Sequence, residues 1–381
     1  MQSRKSILIM TQWFYPGFKA GGPIRACHNL AMLLKEEYDV YIFTSDRDHN
    51  SSSSYATITS NQWIDFSKNV KVYYASSEKL TWFKIAKQLR QINPDYVYLN
   101  SMYSLYFTIY PLLMRRCGSI NSRIILSPRG MLKESALQFK PAKKKVFLQT
   151  LKLFKISSGI GFHATDEQEK QDIRKIFGDV ENIDLIQDIP PTPEENILPL
   201  NKKSGELKLV FIGRIHPVKN LHFIIECVKK LTQKIELTVV GPIEDKSYYQ
   251  YCRKLTLSLP ENIIVSFVGE VSNEKIKNYL FENHFMILPT LGENYGYSII
   301  ESFCAGRPVI ITDKTPWHNL LQAKIGWDLP LNHHHEFVCA LNNAAAMVQE
   351  EFTQWSASAL DFAGKLSVTN NYKKQYAEMF S

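Results

Sequence analysis

In one-letter code, residues 288–309 read LPTLGENYGYSIIESFCAGRPV. The apolar run Phe285–Pro289 predicts a buried strand, and a glycine-containing loop follows it. A helix is predicted over Ser298–Cys304, closed by Gly306, before another apolar strand at Val309–Thr312. Strand, loop, helix and strand in this order form the repeating unit of a parallel sheet. The N-terminus of such a helix presents free backbone N–H groups, which suit a phosphate.

The same alternation continues on the N-terminal side of this stretch. In the second half of the chain, the predicted strands are Leu207–Ile212, Ile235–Val240 and Ile263–Val268, and a helix is predicted over Leu221–Leu231. In the first half, the predicted strands are Ser6–Met10, Val40–Thr44, Val70–Ala75, Tyr96–Asn100 and Arg123–Ser127, with a helix over Ile24–Leu34. The sequence therefore predicts an α/β protein with two doubly wound parallel sheets.

A proline-rich run, Ile189–Pro199, separates the two halves. Because 381 residues are too many for one ordinary hydrophobic core, two domains are expected. We predict an N-terminal domain over residues 1–188, a linker over 189–200, a second domain over 201–360, and a C-terminal helix over 361–381 that crosses back to the first domain. A ligand would bind in the cleft between the domains, at the carboxyl ends of the strands.

Composition limits the class of protein. The formal net charge of +8 favours anionic partners such as a nucleotide, a phospholipid surface or a nucleic acid. The six cysteines show no metal-ligand spacing, so we expect free thiols in a reducing compartment and no metal site. The apolar run at residues 7–10 is too short for a secretory signal, and no run approaches the roughly 20 residues of a spanning helix. A cytoplasmic location is therefore expected.

Two carboxylates, Glu293 and Glu301, lie eight residues apart, one in the loop and one in the helix. Both could accept hydrogen bonds from hydroxyl groups of a ligand. The alternative is a surface glutamate followed by a glutamate that supports the helix.

These two glutamates and the following Ala-Gly-Arg-Pro-Val-Ile resemble the signature of family-four retaining glycosyltransferases, the group 1 type with the GT-B fold. The run Phe211–Asn220, FIGRIHPVKN, resembles the opening of their second domain. The resemblance covers the whole two-domain layout and implies two Rossmann-like domains that face each other across a cleft, the first meeting the acceptor and the second a nucleotide sugar.

The resemblance also implies roles for individual residues. Arg214 and Lys219 would bind the donor diphosphate, and such cations can stabilise the negative charge on the departing phosphate without a metal ion. Glu293 would bind hydroxyls of the donor sugar, and Glu301 the ribose diol of the nucleotide. The remaining predicted donor-binding residues are Asn294, Tyr295, Gly296 and Tyr297, which would supply amides to the sugar and the phosphates. Gly22 of the first domain is also predicted to bind the donor, because its bare backbone can approach the donor phosphate.

Possible acceptor or sugar contacts are predicted in the first domain. Gly21 belongs to a glycine-rich loop after the first strand, where bare backbone can approach a ligand. Arg129 follows another strand, with a structural salt bridge as the alternative. His163 ends a strand, with a core or surface histidine as the alternative. Asn100 stands where many relatives have a histidine near the donor sugar, and its amide can still bind a hydroxyl.

The segment Lys133–Lys155 is rich in lysines interleaved with apolar residues. Val146, Leu148, Leu151 and Phe154 could share one helical face, which would lie on an anionic membrane surface. The alternative is a solvated helix whose apolar face packs into the first domain. The resemblance favours peripheral binding to the inner face of the plasma membrane, with a saccharide or lipid-linked saccharide as acceptor.

Two other motifs are set aside. Asp46-Arg47-Asp48 has an Asp-x-Asp form but is expected in a surface loop, and His333-His334-His335 is expected in an exposed loop rather than at one metal ion.

Together with the resemblance, the sequence thus predicts a retaining, metal-independent hexosyltransferase that needs no cofactor. It would use a UDP- or GDP-linked donor in the synthesis of a bacterial surface polysaccharide such as O-antigen, capsule or lipopolysaccharide. One alternative is a nucleotide-sugar epimerase of the same fold. The other is a basic nucleic-acid-binding protein, which no recognised motif supports.

Overall fold

The structure, a computed structural model, describes residues 4–138, 141–153, 158–178, 180, 182–194, 197, 199–369 and 371–381. The chain forms two compact units. Unit 1 comprises Met1–Ile189 and Asn371–Ser381, and unit 2 comprises Pro190–Asn370.

The described strands and helices alternate along most of the chain. The strands are β1 Ser6–Met10, β2 Asp39–Ser45, β3 Trp63–Ser67, β4 Val70–Ala75, β5 Tyr96–Leu99, β6 Arg123–Leu126, β7 Gly161–Ala164, β8 Ile183–Leu185, β9 Glu206–Ile212, β10 Lys234–Val240, β11 Ile263–Gly269, β12 Phe285–Leu288, β13 Val309–Thr312 and β14 Gly326–Leu329. The α-helices are α1 Gly22–Leu34, α2 Trp82–Ile92, α3 Tyr110–Arg116, α4 Glu134–Leu137, α5 Pro141–Leu153, α6 Glu167–Phe177, α7 Leu221–Val228, α8 Lys246–Thr256, α9 Asn273–Phe281, α10 Tyr297–Cys304, α11 His334–Ala346, α12 Gln349–Thr369 and α13 Tyr372–Met379. Shorter helical segments are the 3-10 turns Ser77–Lys79 and Pro217–Lys219 and the π-helix Leu105–Ile109.

The sheet of unit 1 has the strand order β3-β4-β2-β1-β5-β6-β7-β8. Its neighbouring strands run parallel, except that β3 pairs antiparallel with β4 at the edge. Side chains of β1 show that both faces of the sheet are covered. Leu8 and Met10 belong to one buried cluster, whereas Ile7 and Ile9 belong to another. Because side chains of a strand alternate between faces, these clusters lie on opposite sides of the sheet.

The sheet of unit 2 has the order β11-β10-β9-β12-β13-β14, and its described strand pairs are all parallel. The adjacent strands β12 and β13 are fully buried, as their continuous apolar runs predict; the four residues of β12 are each 0% exposed. The predicted fold class, two doubly wound α/β domains, is confirmed. The edge strands β3, β8 and β14 were not predicted, because they are short or carry polar side chains.

The unit boundaries differ from those predicted. The described part of the proline-rich run packs on unit 2: the Glu194 N–H donates to the Cys304 carbonyl at 3.0 Å, and the Cys304 thiol donates to the Pro191 carbonyl at 3.4 Å. Unit 2 therefore begins at residue 190 rather than 201, although residues 195, 196 and 198 lie outside the described ranges.

The predicted helix over 361–381 is two helices. Its first part continues α12 within unit 2, and its last part is α13, which belongs to unit 1. Tyr372, Tyr376 and Met379 of α13 are buried in the same cluster as Ile7 and Ile9.

Candidate active site

Arg214 and Lys219, the two predicted phosphate-binding cations, lie close together in unit 2. Arg214 follows β9 by two residues, and Lys219 ends the 3-10 turn Pro217–Lys219. A Cβ on Gly213 would lie 3.8 Å from Lys219 Cδ, so the lysine stem passes beside the backbone that leads to Arg214. Burial lowers the pKa of His216, Glu244 opposes this shift, and both cations add to it. Both positive charges thus act on the same imidazole.

Backbone contacts fix the loop that carries Arg214. The Gly213 N–H donates to the Val240 carbonyl at 3.0 Å, and the Ile215 N–H donates to the Pro242 carbonyl at 2.9 Å. Gly241 has φ +148°, and a Cβ there would lie 2.0 Å from the Gly213 carbonyl oxygen. Only glycine allows this close approach of two backbones.

Lys219 forms an ion pair with Glu293, 74 residues further along the chain. Both side chains are largely buried, at 15% and 14% exposure. The pairing is built by the backbone, because the Leu291 N–H donates to the Val218 carbonyl at 2.8 Å. The structure therefore brings together a predicted phosphate-binding cation and the predicted sugar-binding carboxylate.

The loop that carries Glu293 is held by residues that follow β13. The Glu293 N–H donates to the Lys314 carbonyl at 3.1 Å, and the Trp317 indole N–H donates to the Tyr295 carbonyl at 2.6 Å. The Tyr295 ring packs edge-on against both Tyr297 and Trp317, with ring centroids 4.9 and 5.5 Å away. Sequence reasoning missed Trp317. Its position shortly after a buried strand, with a polar N–H on a large apolar ring, was the available signal.

Helix α10 begins directly after this loop. Gly296 precedes it with φ +77°, a left-handed conformation that favours glycine, and a Cβ there would lie 2.9 Å from Ile299 Cδ1, so that side chain would have to shift. Glu301 lies one turn into α10 and is partly exposed. Residues 294–297, predicted to present amides to the donor, thus form the entry to a helix N-terminus, although their contact with a donor remains a prediction.

Arg214 also forms an ion pair, with Glu244. Glu244 lies between β10 and α8 and is 23% exposed at its side chain, whereas that of Arg214 is 40% exposed. Glu244 has no local sequence feature that marks it as the partner of a residue 30 positions away, so it was not predicted.

In unit 1, the glycine-rich loop leads from β1 into α1. Gly21 has φ +66° and no atom within 4 Å of a Cβ position, so the backbone conformation, rather than crowding, favours glycine. Gly22 is the first residue of α1. Whether these two glycines meet a ligand stays a prediction.

The other predicted residues of unit 1 belong to one buried network. The Arg129 guanidinium donates to Asn100 Oδ1 at 2.6 Å and to the Tyr98 hydroxyl at 2.9 Å, and it forms an ion pair with Asp188. The side chains of Arg129 and Asp188 are only 6% and 5% exposed. For Arg129, the structure therefore favours the salt-bridge alternative, and Asn100 is occupied by the guanidinium. Tyr98 and Asp188 were not identified from sequence.

His163 lies in the interior of unit 1, at 0% exposure. Its Nδ1 lies 2.7 Å from the Tyr98 hydroxyl and its Nε2 lies 2.8 Å from the Ile186 carbonyl, so Nε2 carries the proton. Burial lowers the pKa of His163 to about 3, and the nearby Arg129 charge adds to this shift. The prediction of a sugar contact is corrected here: the structure supports the core-histidine alternative.

The two aspartates of the Asp-x-Asp motif are buried, at 3% and 8% exposure, although the motif lies in a loop as predicted. Asp48 accepts the backbone N–H groups of Phe18 and Lys19 at 2.8 and 3.1 Å, and Asp46 accepts the Ser60 hydroxyl at 3.0 Å. These carboxylates therefore hold loops together. His333 precedes α11 and pairs with Glu336, and His334 and His335 lie within that helix rather than in the predicted loop. Within the described ranges, no three His, Cys, Asp or Glu side chains are grouped to hold a metal ion.

The predicted membrane face of α5 is only partly exposed. Leu148 and Leu151 are buried at 9% and 2% exposure, whereas Val146 is 62% exposed. These residues therefore do not share one surface, and Phe154 lies outside the described residues, as do Lys140 and Lys155. Among the residues that the structure describes, no helix combines the length and the apolar character needed to cross a membrane.

Comparison with known proteins shows which family the second half of the chain resembles. The sequence profile of the family described as "Glycosyl transferases group 1" matches residues 193–344. The O-antigen chain mannosyltransferase RfbU of Salmonella typhimurium is 26% identical over 122 residues, which cover 32% of this chain and 34% of RfbU. The aligned stretch thus spans about a third of the curated relatives' length.

Solved structures match nearly the whole chain. The sucrose-phosphate synthase of Thermosynechococcus elongatus superposes with a TM-score of 0.72 and 16% identity, over 99% of this chain and 98% of that one. Anabaena HepE, solved in complex with UDP and glucose, superposes with a TM-score of 0.69 and 13% identity, over 98% of both chains. At these identities the likeness shows the fold alone. The predicted resemblance is confirmed: residues 193–344 match the family of group 1 glycosyltransferases, and the chain as a whole has the GT-B fold.

Proposed function

We propose that this protein is a retaining, metal-independent hexosyltransferase. It transfers a sugar from a UDP- or GDP-linked donor to a saccharide or lipid-linked saccharide, in the synthesis of a bacterial surface polysaccharide. The similarity to RfbU, an O-antigen chain mannosyltransferase, supports the acceptor class, and the complex of HepE with UDP and glucose supports a nucleotide-sugar donor.

The observation that carries this proposal is the juxtaposition of Lys219 and Glu293 at the entry to α10. Glu293 can accept hydrogen bonds from sugar hydroxyls, while Lys219 and Arg214 supply positive charge to the adjoining diphosphate. As the sugar leaves, negative charge grows on the diphosphate oxygens, so these cations stabilise the transition state more than the bound donor. Glu301, one turn into α10, would accept hydrogen bonds from the hydroxyls of the nucleotide ribose.

Transfer assays with candidate UDP- and GDP-sugars test this proposal, with hydrolysis of the donor scored where no acceptor is known. Glu293→Gln removes the carboxylate charge, and we expect a rate loss of about a hundredfold or more. Glu236→Gln, the same change on a partly exposed residue of β10, should keep the wild-type rate. EDTA should leave the rate unchanged, and the anomeric configuration of the product, read by NMR, should equal that of the donor. A Glu293→Gln variant with normal turnover would refute the site, and inversion would refute the retaining mechanism.

We also propose that unit 1 docks on an anionic membrane surface through the outer face of α5. Lys145, Val146, Lys152 and Leu153 recur at helical spacing on its exposed side, where Val146 and Leu153 are 62% and 77% exposed. The opposite side of α5 packs into the core through Leu148 and Leu151. Lysines around exposed apolar side chains suit anionic headgroups above acyl chains, and this would place the enzyme at the cytoplasmic leaflet.

Two further exposed apolar residues lie on helices that cover the same face of the sheet as α5. Phe83 of α2 is 83% exposed and Leu105 of the π-helix is 48% exposed. The buried side chains of α2, the π-helix and α5 belong to one cluster, so the three elements cover the same face of the sheet.

Sedimentation with vesicles that contain anionic lipid tests the docking. The wild type should pellet and should be released at high salt. A variant with Lys143, Lys145 and Lys152 changed to Glu should stay in the supernatant. Lys144 is left unchanged, because its ammonium donates a hydrogen bond to the Ala136 carbonyl at 2.5 Å. A matched variant with Lys230, Lys246 and Lys254 of unit 2 changed to Glu carries the same charge and should pellet. Equal partitioning of all three proteins would exclude α5 as the docking surface.

A further inference from the structure

Glu244 is a carboxylate within a site whose proposed ligand is an anion. In the described structure its side chain forms an ion pair with Arg214, one of the two proposed diphosphate ligands. Glu293, the partner of Lys219, has a proposed role toward sugar hydroxyls. Glu244 has none, and a negative charge at this place opposes the binding of a diphosphate.

The position of Glu244 is imposed by the backbone. Ile215 and Ile243 form an isolated parallel bridge, so the residue after Arg214 pairs with the residue before Glu244. The Asp245 N–H donates to the Ile215 carbonyl at 3.1 Å, which closes the contact from the other side. These bonds involve no side chain of the ion pair, so the two loops stay adjacent whether or not Arg214 is engaged elsewhere.

The next residue anchors the same loop to a helix. The Asp245 carboxylate accepts the Tyr248 N–H at 2.9 Å and thereby caps α8. Glu244 therefore sits on a short, rigid connection from β10 to α8. The backbone of Glu244 is thus held beside that of Arg214.

We infer that Glu244 is a built-in counter-anion that orients Arg214 and limits how tightly the site retains a diphosphate. The inference rests on the proposed function, since it assigns a positioning residue to the proposed diphosphate site. A diphosphate that reaches Arg214 shares the guanidinium with Glu244 and feels repulsion from its carboxylate. The carboxylate thus weakens the hold on the nucleoside diphosphate product and favours its release.

Isothermal titration with inorganic pyrophosphate, UDP and GDP tests the inference. Glu244→Gln keeps the shape and an acceptor oxygen but removes the charge. Because the ion pair is partly exposed, water weakens the repulsion between the Glu244 carboxylate and a bound anion. We therefore expect the affinity for all three ligands to rise by only about three- to tenfold at about 50 mM NaCl. At about 300 mM NaCl the gain should shrink, because salt screens the carboxylate.

A control variant and a kinetic measurement separate an effect of the Glu244 charge from a loss of structure. Glu236→Gln changes the net charge by the same amount at a distant position of β10, and its affinities should equal those of the wild type. In steady-state assays, Glu244→Gln should lower the KM for the donor and should leave kcat unchanged or lower it by a smaller factor, because release of the diphosphate product slows. A merely structural loss would not lower the KM.

Equal or weaker pyrophosphate binding by Glu244→Gln would overturn the inference, as would a gain shared by Glu236→Gln. Failure of the proposed function looks different. Tighter pyrophosphate binding without turnover of any nucleotide sugar would keep the counter-anion and reject the glycosyltransferase activity.

Discussion

Arg129→Met removes the cation at the centre of the buried network in unit 1. The substitution keeps a long unbranched side chain but leaves Asp188, at 5% exposure, without its counter-charge. It also removes the donors to Asn100 and the Tyr98 hydroxyl. Arg129 has φ +56°, and since methionine there bears the same backbone cost, the effect isolates the side chain.

The free energy of unfolding should fall by about 3–5 kcal/mol, the usual cost of removing one partner of a buried ion pair. Unit 1 contains roughly 200 residues, and for that size 1 kcal/mol corresponds to about 2–4 °C in the midpoint. The unfolding midpoint of unit 1 should therefore fall by about 6–20 °C. Thermal unfolding, followed by hydrogen exchange of β5 and β6 amides to report on unit 1 alone, measures this.

The double variant Arg129→Met with Asp188→Asn supplies the control. Removing the second charge relieves the uncompensated burial, so the double variant should be more stable than the single one. A midpoint for Arg129→Met within about 2 °C of the wild type would refute the reasoning, as would additive losses in the double variant.

Because the pKa of His163 is lowered to about 3, the unfolded chain binds a proton as the pH falls below about 6.5, whereas the folded protein does not. The free energy of unfolding should therefore be constant with respect to this group above pH 6.5 and should fall by about 1.4 kcal/mol per pH unit as the pH drops toward 3. In His163→Gln this decrease at acid pH should be smaller. Trp317→Phe removes the indole donor to the Tyr295 carbonyl and should raise the donor KM about three- to tenfold in initial-rate assays; an unchanged KM would deny Trp317 a positioning role. Gly241→Ala places a Cβ 2.0 Å from a backbone oxygen and should destabilise unit 2 by about 2–4 kcal/mol, clearly more than Gly269→Ala, whose Cβ meets nothing within 4 Å; equal losses in thermal melts would contradict this.

The sequence was most informative where chemistry and local pattern coincide. Strands such as β1, β12 and β13 are short apolar runs buried on both faces, so their composition alone identifies them. The spacing of Glu293 and Glu301 around a strand-loop-helix junction located the candidate site, because a loop and the first turn of one helix keep sequence neighbours together in space.

Sequence reasoning failed where exposure depends on distant residues. Arg129, Asn100 and His163 each end or follow a strand, which made them candidates for ligand contact. Whether such a side chain faces solvent or the interior depends on its partners, and here Tyr98 and Asp188 provide buried ones. Likewise α5 has apolar residues around much of its circumference, and only packing decides that Leu148 and Leu151 are inside while Val146 is outside.

By itself, the sequence determined the class of fold, the positions of the main strands along the chain and the motif at the entry to α10, because local propensity and hydrophobic period are properties of short segments. Tertiary structure alone decided which charges meet. The ion pairs of Arg214 with Glu244, of Lys219 with Glu293 and of Arg129 with Asp188 join residues 30, 74 and 59 positions apart. Such pairs depend on which strand ends are neighbours in the folded sheet, and no local pattern carries that information.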